Sequence, residues 1–309
     1  MSGKIKLKFT CFWSTPEATN ERMVHNWGVP PECFELTTGS DFDYLVTLCH
    51  GEEMLSTPKN KNILIGMEAS WSPNSRGDLA KLCKLVVTPD ETVKGDNVIH
   101  RHPFMFNEDS RTDQQSHFVK GPSPYDYLSN INFHPKVDHK FYKKKLSFFV
   151  ANHFALAGVR QHPESNYYLK ENLLFKILKS DLNCDIYGRG WNIEDSRYKG
   201  APPLKVDGLR DYKYSIAIDN ACEKYYLSEK LFDCFLNNCV PIYYGCTTAH
   251  EAYDSRAFAV FSPERDDVIE QLKKQISFPA EPYHKYVLES KKQYYTEHNL
   301  FNFLREKLI

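Results

Sequence analysis

The densest set of polar side chains in this sequence lies between two apolar runs, 214–218 and 240–244. Asp219 and Asn220 directly follow the first run, and Ser228-Glu229-Lys230 stands before the second. A lysine side chain binds an anion such as a diphosphate, and carboxylate and amide groups supply further hydrogen-bonding partners. The residue types therefore indicate a site for an anionic ligand.

The elements around these residues are expected to bring them together. The two apolar runs have the composition of buried strands, and Ser228-Glu229-Lys230 opens a helix between them. In an open α/β sheet, ligands bind where strands end and helices begin, and helix N-termini attract anions. A lysine in the first helical turn opposes the helix dipole. Lys230 is therefore expected to face a bound anion, with a solvated surface lysine as the alternative.

Composition sets broad limits on the type of protein. The chain has 309 residues, 41% hydrophobic and 26% charged, which is typical of a globular protein with two domains. A net charge of −1 gives no bias towards nucleic acid or membranes. Nine cysteines, an odd number without a C-x-x-C pair, indicate reduced thiols and a cytoplasmic location. The first ten residues lack the apolar stretch of a signal peptide or membrane anchor.

Short apolar segments alternate with amphipathic ones in both halves of the chain, which predicts an α/β protein with two doubly wound domains. We expect an N-terminal domain over 1–138, a second domain over 139–285, and a helical tail over 286–309 that packs on the first domain. The polar stretch 107–140 is expected to hold the boundary. Strands are predicted at 5–12, 42–48, 62–66, 82–88, 143–151, 184–188, 214–218, 240–244 and 258–261, and helices near 167–180 and 266–276.

The central segment also resembles a known family. Its order of residues is similar to the signature of the α-1,3/4-fucosyltransferases, glycosyltransferase family 10. Two residues depart conservatively from the family pattern, Asp219 for Glu and Ser228 for Thr, and the loop Cys222-Glu223-Lys224 is not typical of it. The residues that carry the resemblance are Asp219-Asn220, Tyr226-Leu-Ser-Glu-Lys230 and Cys239-Val-Pro-Ile-Tyr-Tyr-Gly245.

The resemblance implies a GT-B fold, with two Rossmann-like domains and the active site in the cleft between them, in a bacterial- or viral-like member. It implies transfer of L-fucose from GDP-fucose to a hydroxyl of an oligosaccharide acceptor, with inversion. It also implies that no metal and no other cofactor is essential. The expected donor-binding residues are Asn152, Arg160, Tyr187, Asp219, Asn220, Tyr226, Ser228, Glu229 and Lys230.

Some of these implied donor-binding residues also have a simpler structural explanation. Arg160 would bind the phosphates, and the alternative is an ordinary surface salt bridge. Glu229 would accept hydrogen bonds from donor hydroxyls, although an acid in the first turn also stabilises a helix. Gly188, which follows Tyr187, is expected to supply a positive φ angle.

The catalytic base is expected in the first domain. The resemblance places Glu68 after a strand in the position of the family's base, although Ala69-Ser-Trp71 intervenes before Ser72-Pro73. His102 is the rival candidate. A related enzyme that uses another nucleotide sugar and an inactive nucleotide-sugar or glycan-binding protein remain alternatives. The acceptor and the linkage stay open.

Overall fold

The computed structural model describes residues 3–106, 144–152 and 162–309. They divide into two compact units. The first contains 3–106 together with two later segments, Glu223–Leu227 and Gln293–Ile309. The second contains the described residues from 144 to 222 and from 228 to 292. The long connection expected over 107–140 lies outside the described residues.

The first unit is built on a six-stranded parallel sheet in the order β2-β1-β3-β4-β5-β6. Most strand residues are buried, as expected when both faces of a parallel sheet are covered. The strand order reverses between β1 and β3, so their carboxyl ends form the switch point where ligands bind in such sheets. The elements are β1 (Ile5–Cys11), α1 (Pro16–Trp27), β2 (Phe34–Leu36), β3 (Tyr44–Leu48), β4 (Asn62–Ile65), β5 (Leu85–Thr88) and β6 (Val98–His100).

The C-terminal segment completes the core of the first unit. The ring of Phe301 packs edge-on against Phe9, with centroids 5.9 Å apart. The Tyr294 hydroxyl accepts a hydrogen bond from the Asn26 side chain at 2.9 Å and donates one to the Met105 carbonyl at 2.9 Å. These contacts hold the C-terminal segment, 293–309, against the elements formed by residues 3–106.

The second unit has its own six-stranded parallel sheet, in the order β12-β11-β10-β7-β8-β9. This is the doubly wound order with its switch point between β7 and β10. The strands are β7 (Lys144–Phe149), β8 (Asp185–Tyr187), β9 (Tyr198–Gly200), β10 (Tyr212–Ile218), β11 (Val240–Tyr244) and β12 (Ala259–Val260). The helices are α2 (Tyr167–Leu178), α3 (Glu229–Leu236), α4 (Ala249–Ala252), α5 (Val268–Ser277) and α6 (Glu281–Thr296), followed by α7 (Leu300–Leu308) in the first unit.

The expected α/β architecture with two Rossmann-like sheets is confirmed. Five of the described helices and strands were not predicted: helices α1 and α4 and the three-residue strands β2, β6 and β9. α1 is polar on average, and its start depends on the Thr15 side chain, which caps the helix, and on a proline at its first position. Among the described helices, none combines the length and apolarity that crossing a lipid bilayer requires.

Candidate functional site

Asp219 stands at the carboxyl end of β10 and is completely buried. Its carboxylate accepts hydrogen bonds from the Ser228 hydroxyl and the Tyr243 hydroxyl. Burial raises the pKa of Asp219, while the nearby Lys230 ammonium and the two hydroxyl donors act in the opposite direction. Asp219 therefore joins three elements: β10, the start of α3 and β11.

The start of α3 carries the other predicted polar residues. Ser228 is its N-cap, and the hydroxyl accepts a hydrogen bond from the Lys230 backbone N–H at 3.4 Å. The Lys230 ammonium lies 2.9 Å from a Glu229 carboxylate oxygen. Burial lowers the pKa of Lys230, but the charge of Glu229 and the contribution of Asp219 outweigh it, so the net shift is upward. Lys230 is therefore held as a cation.

Lys205 is a second cation at this site, and it was not predicted. Its ammonium lies 2.8 Å from the Asp233 carboxylate and 3.9 Å from Glu229. Both acids belong to α3, one turn apart. Lys205 precedes β10 in a short 3₁₀ turn, 24 residues before Glu229 in the chain. Only the folded sheet brings these residues together.

Lys170 is a third lysine at this site and is only 5% exposed. Its ammonium donates a hydrogen bond to the Asn220 side-chain oxygen at 2.6 Å. Burial, followed by the charge of Lys230, lowers the pKa of Lys170 well below the usual lysine value, against the pull of Asp219 and Glu229. Burial therefore destabilises the ammonium form. We define the six ionisable side chains as the strand-end cluster: Lys170, Lys205, Asp219, Glu229, Lys230 and Asp233.

The sequence contains a signal for Lys170 that the prediction did not use. Leu173, Leu174 and Ile177 follow it at the i+3, i+4 and i+7 positions of α2, and all three are fully buried. This spacing places the lysine on the buried face of the helix. A lysine on such a face requires a polar partner or an anion.

Gly245 permits the close approach of β11 to Asp219. A Cβ atom at Gly245 would lie 2.6 Å from both the Cβ and Oδ2 atoms of Asp219. We therefore expect Gly245→Ala to lower the free energy of unfolding by about 1–3 kcal/mol, measured by denaturant titration. Gly39→Ala is the matched control, because its nearest neighbouring atom would be 3.8 Å away. Equal stability of the two variants would contradict the close packing of Gly245 against Asp219.

The switch point also contains the end of β7 and its neighbour β8. The Asn152 side chain donates a hydrogen bond to the Gly190 carbonyl at 2.8 Å. Tyr187 is buried, and its hydroxyl lies 2.8 Å from that of Tyr212. Gly188 has the expected positive φ, 155°, and a Cβ there would collide with the Val150 carbonyl. Roles of Asn152 and Tyr187 in donor binding stay predictions.

The predicted donor residue Arg160 falls outside the described residues. Tyr226 is 2% exposed and lies in the segment Glu223–Leu227, which belongs to the first unit. The second unit therefore brings together Asp219, Asn220, Ser228, Glu229 and Lys230 of the predicted set, with Lys170 and Lys205 added by the structure.

Glu68 lies in the first unit, just beyond the carboxyl end of β4, and is half-buried. The pKa of the Cys49 thiol, which follows β3, is raised by burial and then by the charge of Glu68. Glu68 therefore lies near the edge of the sheet where the neighbouring strand ends. The rival His102 is buried, with its ring against that of Tyr225 at a centroid distance of 5.7 Å.

No group of three or more His, Cys, Asp or Glu side chains in the described part of the chain is arranged to hold a metal ion. The expectation that no metal is essential stays a prediction. The charged groups available at the end of β10 are lysines and carboxylates, which suit hydrogen bonding and anion binding.

Residues 153–294 match the model of the family described as glycosyltransferase family 10 (fucosyltransferase) C-term. This range contains the whole strand-end cluster. The chain carries a family 10 glycosyltransferase domain. The recognition made from the sequence is confirmed, and the family 10 domain makes the chain a glycosyltransferase.

Solved structures of other glycosyltransferases have a similar fold. An α1,3-fucosyltransferase with GDP-fucose matches with a TM-score of 0.56 and 17% identity, over 94% of this chain and 83% of that one. Anabaena Alr3699/HepE in complex with UDP and glucose matches with a TM-score of 0.54 and 8% identity, over 98% of both chains. A glycosyltransferase from Rickettsia africae ESF-5 matches with a TM-score of 0.50 and 10% identity, over 100% of this chain and 97% of that one. The chain that carries the family 10 domain thus has the predicted GT-B fold.

Proposed function

We propose that this protein is an inverting fucosyltransferase that moves L-fucose from GDP-fucose to a hydroxyl of an oligosaccharide. One observation carries the proposal: three buried or half-buried lysines converge where β10 ends, inside the family 10 domain. One of the similar structures was solved with GDP-fucose. The position is the switch point of the sheet, where doubly wound domains bind nucleotides.

Charge supports a diphosphate as the ligand. Burial, and then the charges of Lys230 and Lys205, lower the pKa of Lys170 against the pull of Asp219 and Glu229, so an ammonium group at Lys170 is repelled by the two other lysines. The diphosphate of a nucleotide sugar would relieve this repulsion, and it gains further negative charge as the sugar departs. Lys230, which Glu229 and Asp219 hold as a cation, stabilises that developing charge without reorganisation.

The polar neighbours of the lysines suit the rest of the donor. We assign Glu229 and Asn220 to hydroxyl groups of the ribose or fucose, since both have side-chain oxygens that accept hydrogen bonds. Asp219 has a different role in this proposal. Both of its oxygens already accept hydrogen bonds from Ser228 and Tyr243, so it fixes the start of α3.

The acceptor is proposed to lie at the carboxyl edge of the first sheet. Phe12, just after β1, is 44% exposed and stacks on His50, just after β3, with centroids 4.1 Å apart. Sugar rings pack their C–H faces on such aromatic surfaces. These residues flank the switch point of that sheet, and Glu68 follows the next strand, β4.

Glu68 acts as the base in the proposed reaction. Its carboxylate removes the proton from the acceptor hydroxyl, and the acceptor oxygen forms a bond to the anomeric carbon of fucose. The bond from that carbon to the diphosphate oxygen breaks, and GDP leaves with the bonding electron pair. Attack opposite the leaving group inverts the configuration.

Nucleotide preference tests the donor assignment. We expect GDP to raise the melting temperature, because a ligand at 100 times its Kd stabilises the folded state by about 2.7 kcal/mol. UDP and CMP at the same concentration should give a much smaller shift. Thermal denaturation with each nucleotide measures this. Stabilisation by UDP and not by GDP would favour another nucleotide sugar, and GDP binding without fucosyl transfer would favour an inactive binding protein.

A further inference from the structure

The segment Glu223–Leu227 interrupts the candidate donor site in the sequence. The chain belongs to the second unit up to Cys222 and again from Ser228, but this segment belongs to the first unit. Tyr226 and Leu227 are 2% and 4% exposed. The segment therefore packs as part of the first unit, although only two residues, Ala221 and Cys222, separate it from Asn220.

The first residue of the segment makes a specific contact with the loop after β4. The Ser70 backbone N–H donates to both carboxylate oxygens of Glu223, at 3.1 Å each, and the Ser70 hydroxyl donates to Oε1 at 2.9 Å. Hydrogen bonds to an ionised carboxylate are stronger than those between neutral groups. Ser70 is two residues after Glu68, and the intervening Ala69 is buried.

We propose that Glu223 is a positioning residue for Glu68, through Ser70. The inference rests on the proposed function of Glu68 as base. The contact fixes the direction of the peptide N–H of Ser70, while burial of Met67 and Ala69 holds the chain on both sides of Glu68. A base works only within hydrogen-bond reach of its proton, and a displacement of about 1 Å can cost about a hundredfold in rate.

Glu223 acts on the loop rather than on the substrate. Its two oxygens are both engaged with Ser70. The segment is joined by peptide bonds to Asn220 on one side and to Ser228 on the other, so the residues that hold the donor and those that hold Glu68 share one stretch of chain. This arrangement uses a part of the sequence that departs from the family pattern.

The test compares Glu223→Ala and Glu223→Gln with the wild-type chain. We expect Glu223→Ala to reduce kcat about 10- to 100-fold, with the KM for GDP-fucose and the Kd for GDP changed less than twofold. Glu223→Gln keeps one oxygen acceptor for Ser70, so its kcat should fall less. Amide hydrogen exchange of residues 68–72 should be slowest in the wild-type chain, faster in Glu223→Gln and fastest in Glu223→Ala. This measurement does not depend on activity.

Lys224→Met is the matched control. Lys224 is the next residue, and its ion pair with Glu91, at 3.3 Å, is half exposed, which is worth little in stability. We expect wild-type kcat and wild-type exchange in residues 68–72. Ser70→Ala keeps the backbone N–H and should have a small effect alone, and no additional effect in combination with Glu223→Ala.

Two results would overturn the positioning role. One is wild-type kcat in Glu223→Ala, and the other is unchanged exchange of residues 68–72 in a folded Glu223→Ala protein. If the wild-type chain transfers no fucose, the proposed function fails, and the exchange measurement still decides whether Glu223 holds the Glu68 loop. A Glu223→Ala protein that does not fold leaves Glu223→Gln to provide both measurements.

Discussion

Glu68→Gln is expected to lower kcat by about a hundredfold or more, on the usual scale for the loss of an acid–base catalyst. Glutamine has nearly the same shape, but it cannot accept the proton of the acceptor hydroxyl. Binding of GDP should remain close to wild type, because the groups assigned to the donor belong to the second unit. Steady-state transfer from GDP-fucose, with GDP affinity by calorimetry, measures both expectations.

The controls separate Glu68 from its rival and from a general charge effect. Glu52→Gln removes an exposed carboxylate from the same unit and should leave kcat unchanged. Full turnover in Glu68→Gln would remove Glu68 from the mechanism. A hundredfold loss in His102→Gln, together with full activity in Glu68→Gln, would transfer the role of base to His102.

Lys230→Ala is expected to weaken GDP binding by a hundredfold or more, a free energy of about 2.7 kcal/mol. Loss of the ammonium removes a half-buried cation from the proposed diphosphate site and leaves Glu229 with one partner fewer. Guanosine, which has no phosphate, should bind the variant and the wild-type protein equally well. Calorimetric titration with GDP and guanosine gives the comparison.

Lys274→Ala provides the control for Lys230→Ala, because Lys274 is an exposed lysine of α5 in the same unit. We expect it to bind GDP as the wild-type protein does. Normal GDP affinity in Lys230→Ala would exclude the phosphate role. Equal weakening of GDP and guanosine would instead indicate that the variant disturbs the start of α3.

The part of the candidate site that is continuous in the sequence could be predicted from it. The end of β10, the polar residues after it and the opening of α3 follow one another within 12 residues, from Asp219 to Lys230. The apolar runs on either side locate the strands. The short strands β2, β6 and β9 were missed because three residues are too few to establish an alternating pattern.

The rest of the site depends on contacts between distant segments. Lys170 and Lys205 reach the end of β10 only because α2 and the turn before β10 pack against it. The pattern of α2 indicates that Lys170 is buried but not which residues it contacts, and Lys205 has no motif of its own. Glu223 was noted in the sequence only as a departure from the family pattern. Its bond with Ser70 joins residues 153 positions apart, so local sequence reasoning gave no indication of it.

Because Glu223–Leu227 belongs to the first unit, it restricts which chimaeras of this protein with other glycosyltransferases can fold correctly. A chimaera that joined its N-terminal half to the C-terminal half of another glycosyltransferase would receive a foreign version of these five residues. That version would have to fill the places of the buried Tyr226 and Leu227 and present a carboxylate to Ser70. Exchange of donor specificity by grafting would therefore have to transplant the Ser70 loop together with the C-terminal half.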